Sequence, residues 1–286
     1  MPSARIVALT LLALLAFAGN SLLCRAALSR THIDPASFTT VRLLAGALML
    51  WMLVRLRGGP NPGKGNCLSA LALFGYAAGF SFSYLHLSAG AGALILFGAV
   101  QATMIAYGLW SGERLRPRQL AGLLLAGAGL AGLLLPGLSA PPLASALLML
   151  GAGMAWGIYS VRGKGAGDAL KVTAGNFLRA VPMALALSLV LLHSASFDPA
   201  GTWYAVLSGA LTSGVGYAVW YTALPFLKST TAAAVQLGVP VIAAVGGVAF
   251  LDEPLTLRLL AASIAIIGGI ALVVLAGKPL PADTRA

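Results

Sequence analysis

Aromatic side chains with polar handles recur at helical spacing in otherwise apolar sequence. Tyr76, Phe80 and Tyr84 stand at i, i+4 and i+8. Tyr217 and Tyr221 stand at i, i+4 with Trp220 beside them, and Trp156 and Tyr159 at i, i+3. On a helix each set shares one face. Three such faces can enclose an apolar cavity with hydroxyl handles, suited to a ligand with an aromatic or apolar side chain; equally, they can pack in a core or against lipid. Asn20, Gln101 and Gln236 lie deep in apolar runs. A buried amide needs partners at both ends, so each is a substrate contact or an interhelical bond. Arg42 and Arg179 sit several residues inside their runs. Either they clamp a substrate carboxylate, or, as the stronger expectation, they have a structural or gating role, bonding to backbone carbonyls or reaching toward a boundary. Gly238 and Pro240 interrupt a run and supply a candidate gating hinge.

Other chemistry is poorly represented. The seven acids, Asp34, Glu113, Asp168, Asp198, Asp252, Glu253 and Asp283, fall in breaks between apolar runs or in the C-terminal tail. Without a carboxylate pair, a Walker sequence or an H-E-x-x-H motif, the expectation is no enzyme, no metal and no cofactor. Cys24 and Cys67 have no metal-ligand spacing. Gly127-Ala128-Gly129-Leu130-Ala131-Gly132 matches a dinucleotide fingerprint, but it lies inside an apolar run with no strand before it. Small residues for close helix packing explain it better. The arginine at position 5 and Ala16-Phe17-Ala18 resemble a signal peptide, yet the run continues to about Leu28, as a retained first helix would.

The elements that must hold these residues are membrane helices. The chain has 59% hydrophobic and 9% charged residues, with a mean hydropathy of +0.92. Soluble domains carry roughly 25% charged residues. Runs long enough to cross about 30 Å of hydrocarbon are expected near 4–28, 35–56, 66–87, 89–110, 117–135, 143–162, 169–193, 199–223, 229–250 and 256–276. The fold class is an all-α membrane protein of ten transmembrane helices. Asp34-Pro35 and Asp198-Pro199 read as an N-cap followed by proline at the first helical position. A net charge of +11 raises nucleic acid as a partner. The basic residues lie mainly between runs, where they orient helices, so membrane lipid is expected and nucleic acid is not. Oligomeric state has no signal in the sequence.

The runs repeat. Ser111-Gly112-Glu113-Arg114-Leu115 aligns with Leu251-Asp252-Glu253-Pro254-Leu255 at an offset of 140, which also pairs Arg118 with Arg258 and Gly129 with Gly269. Arg42 pairs with Arg179 at an offset of 137. The halves are 1–137 and 143–277, joined by a linker at 138–142 and followed by a tail at 278–286. Five spans per half make the second copy enter the membrane inverted. With both termini inside, thirteen basic residues lie in inner segments and only Arg25, Arg30 and Arg258 in outer ones. The positive-inside bias therefore gives N-in and C-in. Inverted repeats mark secondary transporters, with the substrate site near the midplane.

The duplicated Glu-x-Leu loops, Trp156-Gly157, Tyr221-Thr222-Ala223-Leu224, Gly238-Val239-Pro240 and the arginines at 42 and 179 together resemble the EamA-domain branch of the drug/metabolite transporter superfamily over about 4–276. Within that branch the chain is most similar to bacterial aromatic amino-acid exporters. The resemblance implies export of small molecules, neutral and aromatic amino acids or related metabolites, across the inner membrane by alternating access. With no carboxylate inside a span, transport is expected to be facilitated. A nucleotide-sugar or other metabolite carrier of the same fold and a channel are the alternatives. Val100 stands where the second copy has Pro240, so a kink is expected in the ninth span and not in the fourth.

Overall fold

The computed structural model describes residues 3–58, 65–112, 116–137, 140–163, 167–227, 232 and 235–276. The Glu113-Arg114-Leu115 motif, most of the Lys228–Ala234 stretch, part of the 138–142 linker and the 278–286 tail lie outside the described residues. Among those described, the chain is all helical. The helices are α1 (Ser3–Arg30), α2 (Pro35–Leu56), α3 (Cys67–Tyr84), α4 (Ala89–Trp110), α5 (Pro117–Leu134), α6 (Leu143–Gly163), α7 (Ala169–Val190), α8 (Pro199–Leu207), α9 (Gly216–Ala223), α10 (Gly238–Leu251) and α11 (Leu257–Ala276). A π-helical segment, Ser208–Val215, joins α8 to α9 in one continuous helical path. Eight helices, α1–α7 and α11, are long and apolar enough to cross a membrane; α10 is apolar but shorter. Leu11, Leu48, Leu147 and Leu189 are among many large apolar side chains on the outer surface, as expected where lipid is the solvent.

Caps set several boundaries. Asp34 accepts from the backbone N–H of Ala36 and of Ser37 at 2.9 Å each, starting α2. Asp198 accepts from Gly201 N at 3.1 Å, starting α8. Asn66 and Ser88 do the same for α3 and α4. Asp252 closes α10 in the left-handed region, φ 56°, a conformation short polar side chains tolerate.

The ninth span is interrupted beside Pro240. Helix precedes Leu237, a turn falls on Leu237, and α10 begins at Gly238. Pro240 follows three residues on, and without an N–H it cannot bond the carbonyl four residues back, that of Gln236. The interruption lies in the turn before the proline, where its ring and missing N–H disturb the ladder.

Helix α6 packs against α3 and α4, and α1 packs against α8, α9 and α10. Helix α2 packs against α7 and the π segment, α7 against α3, α4 against α10, and α5 against α11. Small residues allow the closest approaches. A Cβ on Gly153 would stand 2.6 Å from Ala99 Cβ, and one on Gly157 2.7 Å from Thr103 Cβ, so α6 lies directly on α4. Gly122 and Gly269 meet backbone to backbone between α5 and α11, and Gly129, in the apparent dinucleotide fingerprint, packs on Ala265 and Ile266.

Candidate functional site

A cavity of about 600 Å³ lies inside the bundle, between α1, α3, α4, α6, α7 and the π-segment–α9 path. Trp156 is its aromatic centre. Its ring stacks on Tyr217 (5.3 Å between centroids, 18° between planes) and on Tyr159 (5.2 Å, 23°), and meets Tyr76 at 4.8 Å. Phe80 continues the wall from Tyr76 at 5.4 Å, and Phe17 joins Tyr217 at 5.8 Å. Thus α3, α6 and α9 do present aromatic faces to one chamber.

All the sequence candidates for substrate contact except Tyr84 line this cavity: Asn20, Tyr76, Phe80, Gln101, Trp156, Tyr159, Tyr217, Tyr221 and Gln236. Tyr84 is fully buried behind Phe80 (4.7 Å, 83°), and its hydroxyl donates to Ala89 O at 3.3 Å. The i+8 position continues the face past the floor of the chamber into the packed α3–α4 turn.

The polar candidates divide. Asn20 binds three ways between helices: its Nδ2 donates to the Tyr76 hydroxyl at 3.1 Å, and its Oδ1 accepts from Ser208 Oγ at 2.7 Å and Thr212 Oγ1 at 3.4 Å. Ser208 and Thr212 belong to the π segment, whose face toward α1 carries both hydroxyls. Gln101 and Gln236 line the cavity and make no hydrogen bond among the described residues. Their amides are uncommitted, as ligand contacts are before a ligand binds.

The two intramembrane arginines part company. Arg179 Nη1 donates to Gly175 O at 2.9 Å, the backbone anchoring expected of it. Arg42 has no such anchor. It is 2% exposed, and its Nε and Nη1 are buried without a hydrogen-bond partner. Its guanidinium lies over the rings of Phe80 (4.8 Å to the centroid) and Tyr76 (5.2 Å). The aromatic faces are what Arg42 meets.

Sequence reasoning missed Asn176, Arg162 and Thr173, which also line the cavity. Asn176 Oδ1 accepts from Asn66 N at 2.9 Å and its Nδ2 donates to Tyr159 Oη at 3.3 Å. Its signal was present: an amide inside an apolar run, as at Asn20. Arg162 is one of the thirteen basic residues of the inner segments, a bias that orients the chain and says nothing of a cavity.

The cavity reaches one end of the bundle, where Asn66, Arg162, Gly167 and Ala169 line it. The opposite end is tied shut. Arg25 Nε pairs with Glu253 Oε1 at 3.0 Å, and its Nη1 donates to Tyr84 O and Leu85 O at 2.9 Å each. Glu253 Oε2 accepts from Ala89 N at 2.8 Å. One ion pair thereby joins α1, the α3–α4 turn and the loop after α10. No cluster of His, Cys, Asp or Glu among the described residues could hold a metal.

An all-helical bundle with an apolar exterior and an interior chamber closed at one end defines a multi-pass membrane protein built to hold a small molecule. The model of the EamA-like transporter family matches residues 4–135 and again 143–275, and the chain belongs to that family, within the drug/metabolite transporter superfamily. It is 57% identical over 274 residues, 96% of each chain, to an uncharacterized protein of Pseudomonas aeruginosa. A solved structure titled only as a crystal structure of a protein superposes with a TM-score of 0.70 at 19% identity, covering 96% of this chain and 99% of the other. That likeness speaks to the fold alone. These relationships reach the family and do not select its aromatic amino-acid exporter branch.

Proposed function

We propose that the protein is a secondary transporter that exports neutral and aromatic amino acids, or closely related metabolites, from the cytoplasm across the inner membrane by alternating access. The observation that carries this reading is the chamber itself. It has aromatic walls, the free amides of Gln101 and Gln236, and access to one end only. An apolar, ring-shaped side chain suits stacking on Trp156 and Tyr217. Asn20, Tyr76, Phe80, Tyr159, Tyr221 and the two glutamines are the proposed contacts; Tyr84 is withdrawn from that set. The break at Gly238 and Pro240 is the proposed hinge.

The proposed architecture is ten spans in two inverted halves, 1–137 and 143–277, with both termini inside. Exchanging the halves maps the helix contacts onto one another: α6 on α3 and α4 becomes α1 on the α8–α9 path and α10, while α2–α7 and α5–α11 map onto themselves. The positive-inside bias makes the open end cytoplasmic, so the conformation is inward-facing. Transport is proposed to be facilitated, because the described acids lie at caps and loops, as Asp34, Asp168, Asp198 and Asp252 do.

Efflux of labelled tryptophan, phenylalanine, methionine, threonine and lysine from proteoliposomes without an ion gradient tests this. Neutral and aromatic amino acids are expected to leave faster than from empty liposomes, and lysine not. If none moves, the amino-acid reading falls. A marked rise of uphill transport on imposing a proton gradient overturns the facilitated mechanism.

A further inference from the structure

Taking the chamber as the transport site, we propose that its substrate must carry a negatively charged group, a carboxylate or similar oxyanion, and that Arg42 is the charge that selects it. The Tyr76 hydroxyl is the direct donor to that group, and Arg42, packed on the Tyr76 and Phe80 rings, acts from beside it.

The charge distribution is one-sided. Arg162 is the only charged residue lining the cavity among the described residues, and no Asp or Glu lines it. The three ion pairs among those residues are Arg25–Glu253, Arg30–Asp252 and Lys171–Asp168; none involves Arg42. A guanidinium that is 2% exposed with two unbonded nitrogens is costly to maintain. The Tyr76 and Phe80 faces offset part of that cost as cation–π partners, but they leave Nε and Nη1 without acceptors. These same two rings form the cavity wall. The positive charge therefore acts on the chamber through a medium of low dielectric, where its field is weakly screened.

The hydrogen-bond polarity agrees. Asn20 Oδ1 already accepts from Ser208 and Thr212, and Asn20 Nδ2 donates to Tyr76 Oη. With its oxygen accepting, the Tyr76 hydroxyl proton has no acceptor among the described residues. The floor thus offers a donor backed by a cation. A carboxylate satisfies both; an organic amine of the same shape meets an uncompensated like charge. The pairing gives a reason for a buried guanidinium with two unbonded nitrogens beside the chamber: bound substrate supplies the missing charge.

The experiment uses the full chain in proteoliposomes with three probes sharing one ring: phenylalanine, 3-phenylpropionate and 2-phenylethylamine. Phenylalanine and 3-phenylpropionate are expected to leave at least tenfold faster than the amine. Arg42→Gln is expected to erase that preference, and Arg42→Lys to keep part of it, while the melting temperature of Arg42→Gln stays level or rises because a lone buried charge is gone. A purely structural arginine would not change the ratio between probes. Equal transport of amine and acids by the unmodified protein overturns the proposal without Arg42 being touched. A preference that survives in Arg42→Gln overturns the role given to Arg42. If no ring probe moves, the aromatic amino-acid reading fails separately. The anion requirement is then read from tryptophan fluorescence with pyruvate, succinate and inorganic phosphate: quenching lost in Arg42→Gln sustains it, and no quenching by any of them overturns it.

Discussion

The two ends of the cavity are held by different kinds of bond. At the closed end, Arg25 and Glu253 are mostly buried, their side chains 20% and 12% exposed, and each has further backbone partners. At the open end, exposed Arg162 reaches Asn66 Oδ1 and Ser69 Oγ at 3.2 Å each, with no acid in the set. Charge-assisted bonds shielded from water are strong, and long ones at an exposed edge contribute little. One end is thus a latch and the other a mouth. Arg30 and Asp252, also at the closed end, approach to 2.7 Å but are 45% and 91% exposed, so proximity alone does not make a latch.

The largest effect should come from breaking the latch. Glu253→Gln retains an acceptor for Ala89 N but removes the charge opposite Arg25. Losing a charge-assisted bond of this burial costs about 2 kcal/mol, roughly a thirtyfold shift between closed and open ends. Cys24 reports it, being fully buried on the turn of α1 that carries Arg25. In a Cys67→Ser background, maleimide labelling of Cys24 should speed up by about that factor. Unchanged labelling would show that the ion pair does not govern closure.

Between the two ends, the tyrosines discriminate packing from bonding. Tyr76 accepts from Asn20, whereas the Tyr217 hydroxyl has no hydrogen bond among the described residues and its ring stacks on Trp156. Tyr76→Phe should lower stability by about 1 kcal/mol, the usual net worth of a buried hydrogen bond, and Tyr217→Phe should be near neutral. Thermal melts in detergent read both. Equal losses would mean that the Asn20–Tyr76 bond does not tie α1 to α3.

Asp34, also at the closed end, gives a smaller, pH-dependent effect. Burial opposes its ionisation, but hydrogen bonds from Ser37, Ser196 and Ala36 outweigh that and hold its carboxyl below the usual value. A lowered folded pKa means that the stabilisation is complete above the unfolded pKa of about 4 and is lost as pH falls through the folded value. Asp34→Asn should therefore destabilise at neutral pH, by up to about 1 kcal/mol, because an amide NH2 cannot accept from Ser196 N as Oδ2 does. The gap to the unmodified protein should narrow in acid below about pH 4. A gap independent of pH would contradict the ionised cap.

What was legible beforehand follows the same division. Helix starts with a side-chain cap, Asp34-Pro35 and Asp198-Pro199, fell where spacing predicted, because capping is local chemistry. The aromatic faces were legible because helical periodicity alone brings i and i+4 together. The π segment was not: Ser208–Val215 contains no proline, and its register is set by hydroxyls meeting Asn20 on another helix. Arg42 and Arg179 look equivalent at repeat spacing, yet one bonds to Gly175 O and the other faces two rings. That difference is written in neighbouring helices, and no pattern within either segment contains it. The same holds for the latch, whose partners are 228 residues apart.

The smallest effect is the one that most sharpens the contrast between latch and mouth. Arg162→Gln removes two long bonds at an exposed edge, while Asn66 keeps its cap on Ser69 N at 2.8 Å and its own N–H stays bonded to Asn176. Stability should change by less than about 0.5 kcal/mol. The rate should respond differently, because Arg162 is the charge at the cavity's opening and draws anions toward it over several ångströms. Initial efflux of 3-phenylpropionate at low salt should fall a few-fold. The deficit should fade as ionic strength shortens the Debye length toward about 8 Å and below. A deficit that persists at high salt would make Arg162 a direct contact rather than an attracting charge, and a large fall in melting temperature would make the mouth a second latch.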